Sequence, residues 1–226
     1  MMTRSALDFL VELKANNNRE WFEANRTRYE QAAADFFDTV ARFIQSLTSF
    51  DPEIAEVMPD PKSCIMRIYR DVRFSKDKTP YKTGLFAYVS KGGRKGALAG
   101  YYLHLEPGNS FGGGGLYLPE APVLARTREA IETSFDEWNA IVTAPELLAA
   151  FPDGVLPSGV LKRAPKGYDE TSPAIEWLRY KGYVTQRFFS DGEVVDEPFI
   201  EQLGDCCHAV MPMVAFLNSA IESDTP

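Results

Sequence analysis

The amino-acid sequence predicts an α+β protein: a central, mainly antiparallel sheet with an N-terminal helical hairpin and C-terminal helices packed on it. Three observations carry this expectation. Apolar residues recur at helical spacing before residue 50 and again after residue 120. Four β-leaning stretches, 63–70, 83–90, 99–106 and about 110–118, lie between them. No helical pattern separates those stretches, so they are expected to pair as antiparallel strands, not as βαβ units.

Each element has its own signal. Residues 4–15 read as a short amphipathic helix with Leu7, Leu10, Val11 and Ala15 on one face. "NNNRE" interrupts it, with Asn17 as the expected N-cap and Glu20 in the capping-box position. A long helix then runs to about Leu47 on a stripe of Phe22, Asn25, Tyr29, Ala33, Phe36, Val40, Phe43 or Ile44, and Leu47. "SFDPEIAEVMPDPK" is a turn-rich connection, and "SKGGRKGALAG" carries hairpin signals between the second and third strands. Beyond "LPEAP" the pattern is helical at 120–134 and 136–150. "SPAIEWLRYKG" is a compact helix with Ser172 as N-cap and Pro173 in its first position. "YVTQRFFS" reads as a strand, and 196–222 as a closing helix. The expected organisation is a single compact domain over 1–226, with a helical pair at 4–49, a sheet core at 62–118 and a helical second half at 120–222.

Composition narrows the function classes. At 226 residues, 45% apolar and 25% charged, the chain has ordinary globular composition. No apolar run approaches the ~18 residues that span a bilayer, and the start lacks a secretory pattern, so the expectation is a cytoplasmic protein with no membrane partner. Cys64, Cys206 and Cys207 suggest no disulfide framework. "CCH" at 206–208 lacks zinc-ligand spacing, so no metal site is expected. "FGGGG" runs into Leu116 and Tyr117, where a phosphate loop would need Lys and Ser or Thr. A bulge or a close backbone approach is the expected use of these glycines. The sequence leaves the cofactor, any dependence on a divalent metal and the oligomeric state open.

Charge points to one place. Residues 62–95 hold ten bases against Asp71 and Asp77, a local +8 that leaves −16 for the rest of a chain whose total is −8. Most of these bases fall in "RIYRDVRFSKDKTPYK". If "CIMRIYR" is a strand, Arg70 shares a face with Met66 and Ile68 and requires a partner there. Asp71, Asp77 or a bound anion could supply it. Arginine forks match phosphate or carboxylate, and lysine adds a mobile charge. The expected ligand residues are Arg67, Arg70, Asp71, Arg73, Lys78, Tyr81 and Lys82, with Asn25 either positioning them or bonded to backbone as a buried amide. Lys162, Arg163 and Lys166 of "LKRAPKGY" could extend the site or lie exposed. In "YYLHLEP", His104 and Glu106 share a strand face, either as an acid–base pair or as decoration.

The motif resembles the signature of a family of bacterial and fungal proteins known as domain of unknown function 2461. The matching positions are Arg67, Arg70, Asp71, Arg73, Phe74, Asp77, Lys78 and Tyr81. The similarity runs from "FLVELKANNNREWFEANRTRYE" through "GYYLHLEPGNSFGGGGLYLPE" to "LKRAPKGYDETSPAIEWLRYKGY". It implies where a site lies and carries no activity to transfer. Three functions fit the residues. The first is a pocket for a phosphate- or carboxylate-bearing small molecule or nucleotide, catalytic or not. The second is a nucleic-acid-binding module using the same patch, with Tyr69 and Tyr81 as stacking surfaces. The third is a structural or protein-interaction module in which the motif is an internal salt-bridge brace.

Overall fold

The computed structural model describes residues 2–223. In chain order the elements are α1 (Arg4–Ala15), α2 (Arg19–Ala24), α3 (Arg26–Thr48), α4 (Pro52–Val57), α5 (Pro61–Cys64), β1 (Leu85–Val89), β2 (Gly100–Leu105) and β3 (Ser110–Leu116). They are followed by α6 (Ala121–Thr133), α7 (Phe135–Val142), α8 (Pro145–Ala150), β4 (Leu156–Pro157), α9 (Ile175–Leu178), β5 (Tyr183–Val184), β6 (Arg187–Phe189), α10 (Asp191–Val195) and α11 (Phe199–Glu222). The strand order is β1-β2-β3-β5-β4, with β6 also pairing β3. The sheet is antiparallel, and the class is α+β as the sequence predicts.

Contacts divide the chain into two compact units. The first comprises the chain up to Val89, Tyr102–Gly112 and Phe188–Gly204. Its α3 packs against α1, α4, α5 and β1, burying Phe36, Val40, Phe43, Ile44 and Leu47 as the stripe predicts. The second comprises Ser90–Tyr101, Gly113–Arg187 and the chain from Asp205 on. Its core is built around Trp138, whose ring meets Trp177, Tyr183 and Phe216 at centroid distances of 5.5, 5.4 and 5.3 Å.

Several boundaries differ from expectation for local reasons. In α1 the inward residues include Phe9 and Leu13, while Val11 and Ala15 are exposed. The three asparagines after α1 each do a different job. The Asn16 amide donates to the Glu12 carbonyl at 2.9 Å and closes α1. Asn18, not Asn17, caps α2, accepting from the Trp21 N–H at 2.9 Å. Asn17 leaves the helices and bonds the backbone of Tyr81. The long helix is broken at Asn25, which ends α2 and starts α3. Residues 61–64 are helical, overlapping the start of the strand expected at 63–70, because Asp60 caps them through the Lys62 N–H and Pro61 sits at the first position. Pro145 forces Ala144 out of helical conformation and splits the expected 136–150 helix into α7 and α8. Ser172 does accept from Ala174 N–H at 3.1 Å, but regular helix begins only at Ile175.

"FGGGG" provides the close approach that its composition suggests. A Cβ on Gly112 or Gly114 would strike Leu203 or Val210 of α11, and one on Gly113 the Thr185 carbonyl. The three cysteines are free and buried.

Candidate functional site

The basic motif is a braced loop within the first unit. It is not a continuous strand: only Ile65 and Tyr69 form isolated bridges, to Ala87 and Tyr81. Arg70 N–H donates to the Pro80 carbonyl at 2.9 Å, and Lys82 N–H to that of Ile68 at 2.8 Å, tying the two limbs together. Within the expected strand 63–70, Cys64 and Ile68 point fully inward, each at 2% exposure, while Met66 is exposed.

Between the limbs the loop satisfies itself. The partner that half-buried Arg70 requires is Asp77, at 2.5 Å from Nη1, and the same nitrogen donates to the carbonyl and hydroxyl of Thr79. Asp77 also accepts from Thr79 N–H at 2.9 Å. Asp71 is held by Arg73 through Nε at 3.0 Å and Nη2 at 2.7 Å. Lys78 Nζ donates to the Val72 carbonyl and Lys82 Nζ to the Arg67 carbonyl, each at 2.8 Å. These bonds hold both carboxyls below the ordinary aspartate range. Arg73 is the main cause at Asp71; at Asp77 it is the Thr79 backbone, followed by Arg70.

What the brace leaves open is informative. Among the described residues, the Arg67 guanidinium makes no ion pair or side-chain hydrogen bond, and it is exposed. Arg70 is engaged only through Nη1, and a guanidinium carries five donors. Phe74 projects into solvent at 96% exposure, with the Arg73 guanidinium 5.9 Å from its ring centroid.

Tyr81 faces the other way. It is 3% exposed and stacks on Phe22 at 3.9 Å and 14°. Its backbone is clamped by Asn17, whose Nδ2 donates to the Tyr81 carbonyl at 2.9 Å while Oδ1 accepts from its N–H at 3.0 Å. Asn25 bonds the Trp21 carbonyl at 2.9 Å and accepts from Arg28 at 3.1 Å, both within the helical pair. Lys162, Arg163 and Lys166 belong to the second unit, where they are exposed.

A second constellation lies on β2 and its neighbours. Glu106 accepts from the Thr83 hydroxyl at 2.7 Å, His104 Nε2 at 3.2 Å and Asn109 Nδ2 at 3.3 Å, with Lys14 Nζ at 3.6 Å. The His104 ring stacks on Phe111 at 4.3 Å and meets Phe86 edge-on at 4.3 Å. Sequence reading found the pair but missed Thr83, Lys14, Asn109 and the aromatic walls. The signal that could have found Phe86 is the alternation of β1, "LFAYV", which leaves it on the less buried face. Burial pulls the His104 pKa down against the opposing pull of Glu106. Burial also acts on Glu106, upward, but the Thr83, His104 and Asn109 bonds outweigh it and keep the group a carboxylate.

A pH dependence follows. A histidine whose folded pKa lies below its unfolded value near ~6.5 binds more protons when unfolded. Its stabilising effect is complete above that pH and is lost as pH falls through the folded pKa. Glu106, Asp71 and Asp77, also depressed, act in the same sense at lower pH. The melting temperature is expected to fall from pH 7 towards pH 5, and His104→Phe is expected to flatten that first step. A variant that melts with the wild-type pH slope would show that His104 is not its source.

The geometry thus defines an α+β protein with a self-braced basic loop and a buried-edge His–Glu pair. The chain belongs to the family described as conserved hypothetical protein (DUF2461), whose model matches residues 5–216. No curated protein and no solved structure matches it. Among the described residues no group of three or more His, Cys, Asp or Glu could hold a metal ion, and no helix is long and apolar enough to cross a membrane.

Proposed function

We propose that the protein binds a small anion, a phosphate- or carboxylate-bearing molecule of the nucleotide size class, at the braced loop. The observation that carries this reading is the exposed Arg67 guanidinium, which makes no ion pair or side-chain hydrogen bond among the described residues and acts on Asp71 only through its charge, and beside which Lys82 is fixed on the Arg67 carbonyl at 2.8 Å. The internal pairs Arg70–Asp77 and Arg73–Asp71 support a bracing role for the rest of the motif. A fixed guanidinium has less rotamer freedom to lose when a ligand arrives. Arg70 still has Nε and Nη2 to offer, and Arg73 has Nη1. In this reading Arg67 holds the anion, Arg70 and Arg73 flank it, Lys78 and Lys82 neutralise charge, and Tyr81 with Asn17 sets the loop's position from behind.

Calorimetric titration with pyrophosphate, citrate and adenosine monophosphate tests it. Wild type is expected to bind at least one of them, and Arg67→Ala to lower that affinity at least ~10-fold, the worth of a charge-assisted bond. Its melting temperature is expected to stay put. No binding by wild type at low salt, or equal binding by the variant, would refute the reading.

One observation favours a second reading. Phe74 is a bare ring beside Arg73 and close in sequence to Lys76, an arrangement suited to stacking a nucleobase of a single strand. Binding of a short oligonucleotide that falls steeply with salt and is lost in Phe74→Ala would select it. The acidic remainder of the chain limits such a footprint to a few nucleotides.

A further inference from the structure

We propose that His104 Nδ1 is the proton acceptor of a separate catalytic site on the half-buried aromatic face of the first unit, where it activates water against an ester of a small aromatic molecule. This does not rest on the anion-binding reading: His104 lies on β2, and the rings against it, Phe86 and Phe111, lie on β1 and β3.

The tautomer follows from the partners. Glu106, held as a carboxylate, can only accept, so the Nε2 bond to it at 3.2 Å places the proton on Nε2. The neutral ring then carries its lone pair on Nδ1. Among the described residues nothing bonds that atom. It is also absent from the buried polar atoms without a partner, which are on Arg128, Trp138, Arg179 and Gln202. Nδ1 is therefore not fully buried, in a side chain that is 17% exposed.

The ring is held on two sides and at Nε2. Phe111 stacks on it and Phe86 meets it edge-on, both at 4.3 Å, and Glu106 is itself fixed by Thr83 and Asn109. A carboxylate that orients the imidazole, sets its tautomer and stabilises the imidazolium is the logic of a base poised for proton transfer. The charged groups around the histidine are Glu106, Lys14 at 3.6 Å from that carboxylate, and Lys82, whose Nζ lies 5.4 Å from the Phe86 ring centroid. The substrate class comes from the walls. Phe111 extends to Phe188 at 5.6 Å, and Phe188 is 57% exposed, so an aromatic ring can stack at the open end of the row that begins at His104.

The step balances without a cofactor. Nδ1 takes a proton from water as the water oxygen bonds the ester carbonyl carbon. The carbon–oxygen bond to the aromatic alcohol then breaks, and the departing oxygen takes the proton back from Nδ1. Acid and alcohol leave, and His104 is neutral again.

Hydrolysis of p-nitrophenyl acetate by the full chain is the test. A protein-dependent rate is expected, with His104→Phe losing about 100-fold of it, within the range for a general base. His208→Ala, which removes the chain's other histidine, is expected to retain the rate. Glu106→Gln, a change to a positioning residue, is expected to lower the plateau and move the acidic limb of the pH profile to lower pH, because the carboxylate raises the imidazole pKa. Nitrogen-15 spectra of wild type, which do not depend on any variant folding, are expected to show the proton on Nε2. No protein-dependent hydrolysis, full activity in His104→Phe, or a proton on Nδ1 would each overturn the proposal. Pyrophosphate affinity is read separately, so the two sites succeed or fail independently.

Discussion

Phe22→Ala is expected to cost about 4 kcal/mol in urea unfolding, the usual loss for a buried phenylalanine, and about 10 °C in melting temperature at this chain length. Phe22 is fully buried and belongs to α2, yet its nearest ring is Tyr81 of the basic loop, stacked at 3.9 Å. Tyr29 meets it at 5.0 Å, Tyr69 at 6.3 Å and Phe9 at 6.5 Å. Removing the ring leaves a cavity between the helical pair and the loop, so the loop's amides are expected to exchange faster than those of α3. Phe22→Leu keeps most of the volume and is expected to cost under about 1.5 kcal/mol. If Phe22→Ala costs less than ~1 kcal/mol, far below the usual range, the ring is not what seats the loop.

Gly115→Ala is expected to destabilise by about 3 kcal/mol or more, combining backbone strain with overpacking. Gly115 has φ of 136°, a region that a side chain rarely adopts, and a Cβ there would overlap the Tyr183 carbonyl oxygen. Its register partner is Val184 in β5, so the overlap falls on strand pairing that cannot give way cheaply. Gly93→Ala is the control. It also has positive φ, 70°, but nothing lies within 4 Å of the added carbon, so only the left-handed penalty of about 1 kcal/mol is expected. Equal costs at the two positions would mean that close approach is not what requires glycine in "FGGGG".

How much was legible in the sequence depended on the range of the interaction. The α3 stripe was readable because Phe36, Val40, Phe43 and Leu47 repeat at the pitch of the helix that buries them. Arg70's need for a partner was readable from its neighbours, and Asp77 lay only seven residues away. Asn17 was misread as a cap because an asparagine amide serves a helix start or a distant backbone equally well, and its true partner is 64 residues on. The signal for α5 was present in "PDPKSC" but was overridden by the β-branched and aromatic run that follows. Of the surroundings of Glu106 only His104, two residues away, was read; Asn109 is local but carried no pattern, and Thr83 and Lys14 come from distant parts of the chain.

The Asn17 clamp has a consequence for solubility. Tyr81 uses one side of its backbone surroundings for the limb that includes Ile68 and Arg70. Its own N–H and carbonyl would otherwise present an open β-edge, a template for another chain. The Asn17 amide, with one donor and one acceptor spaced like a peptide group, occupies both. A side chain from the link between α1 and α2 thus stands in for one residue of a neighbouring strand and blunts a path to aggregation.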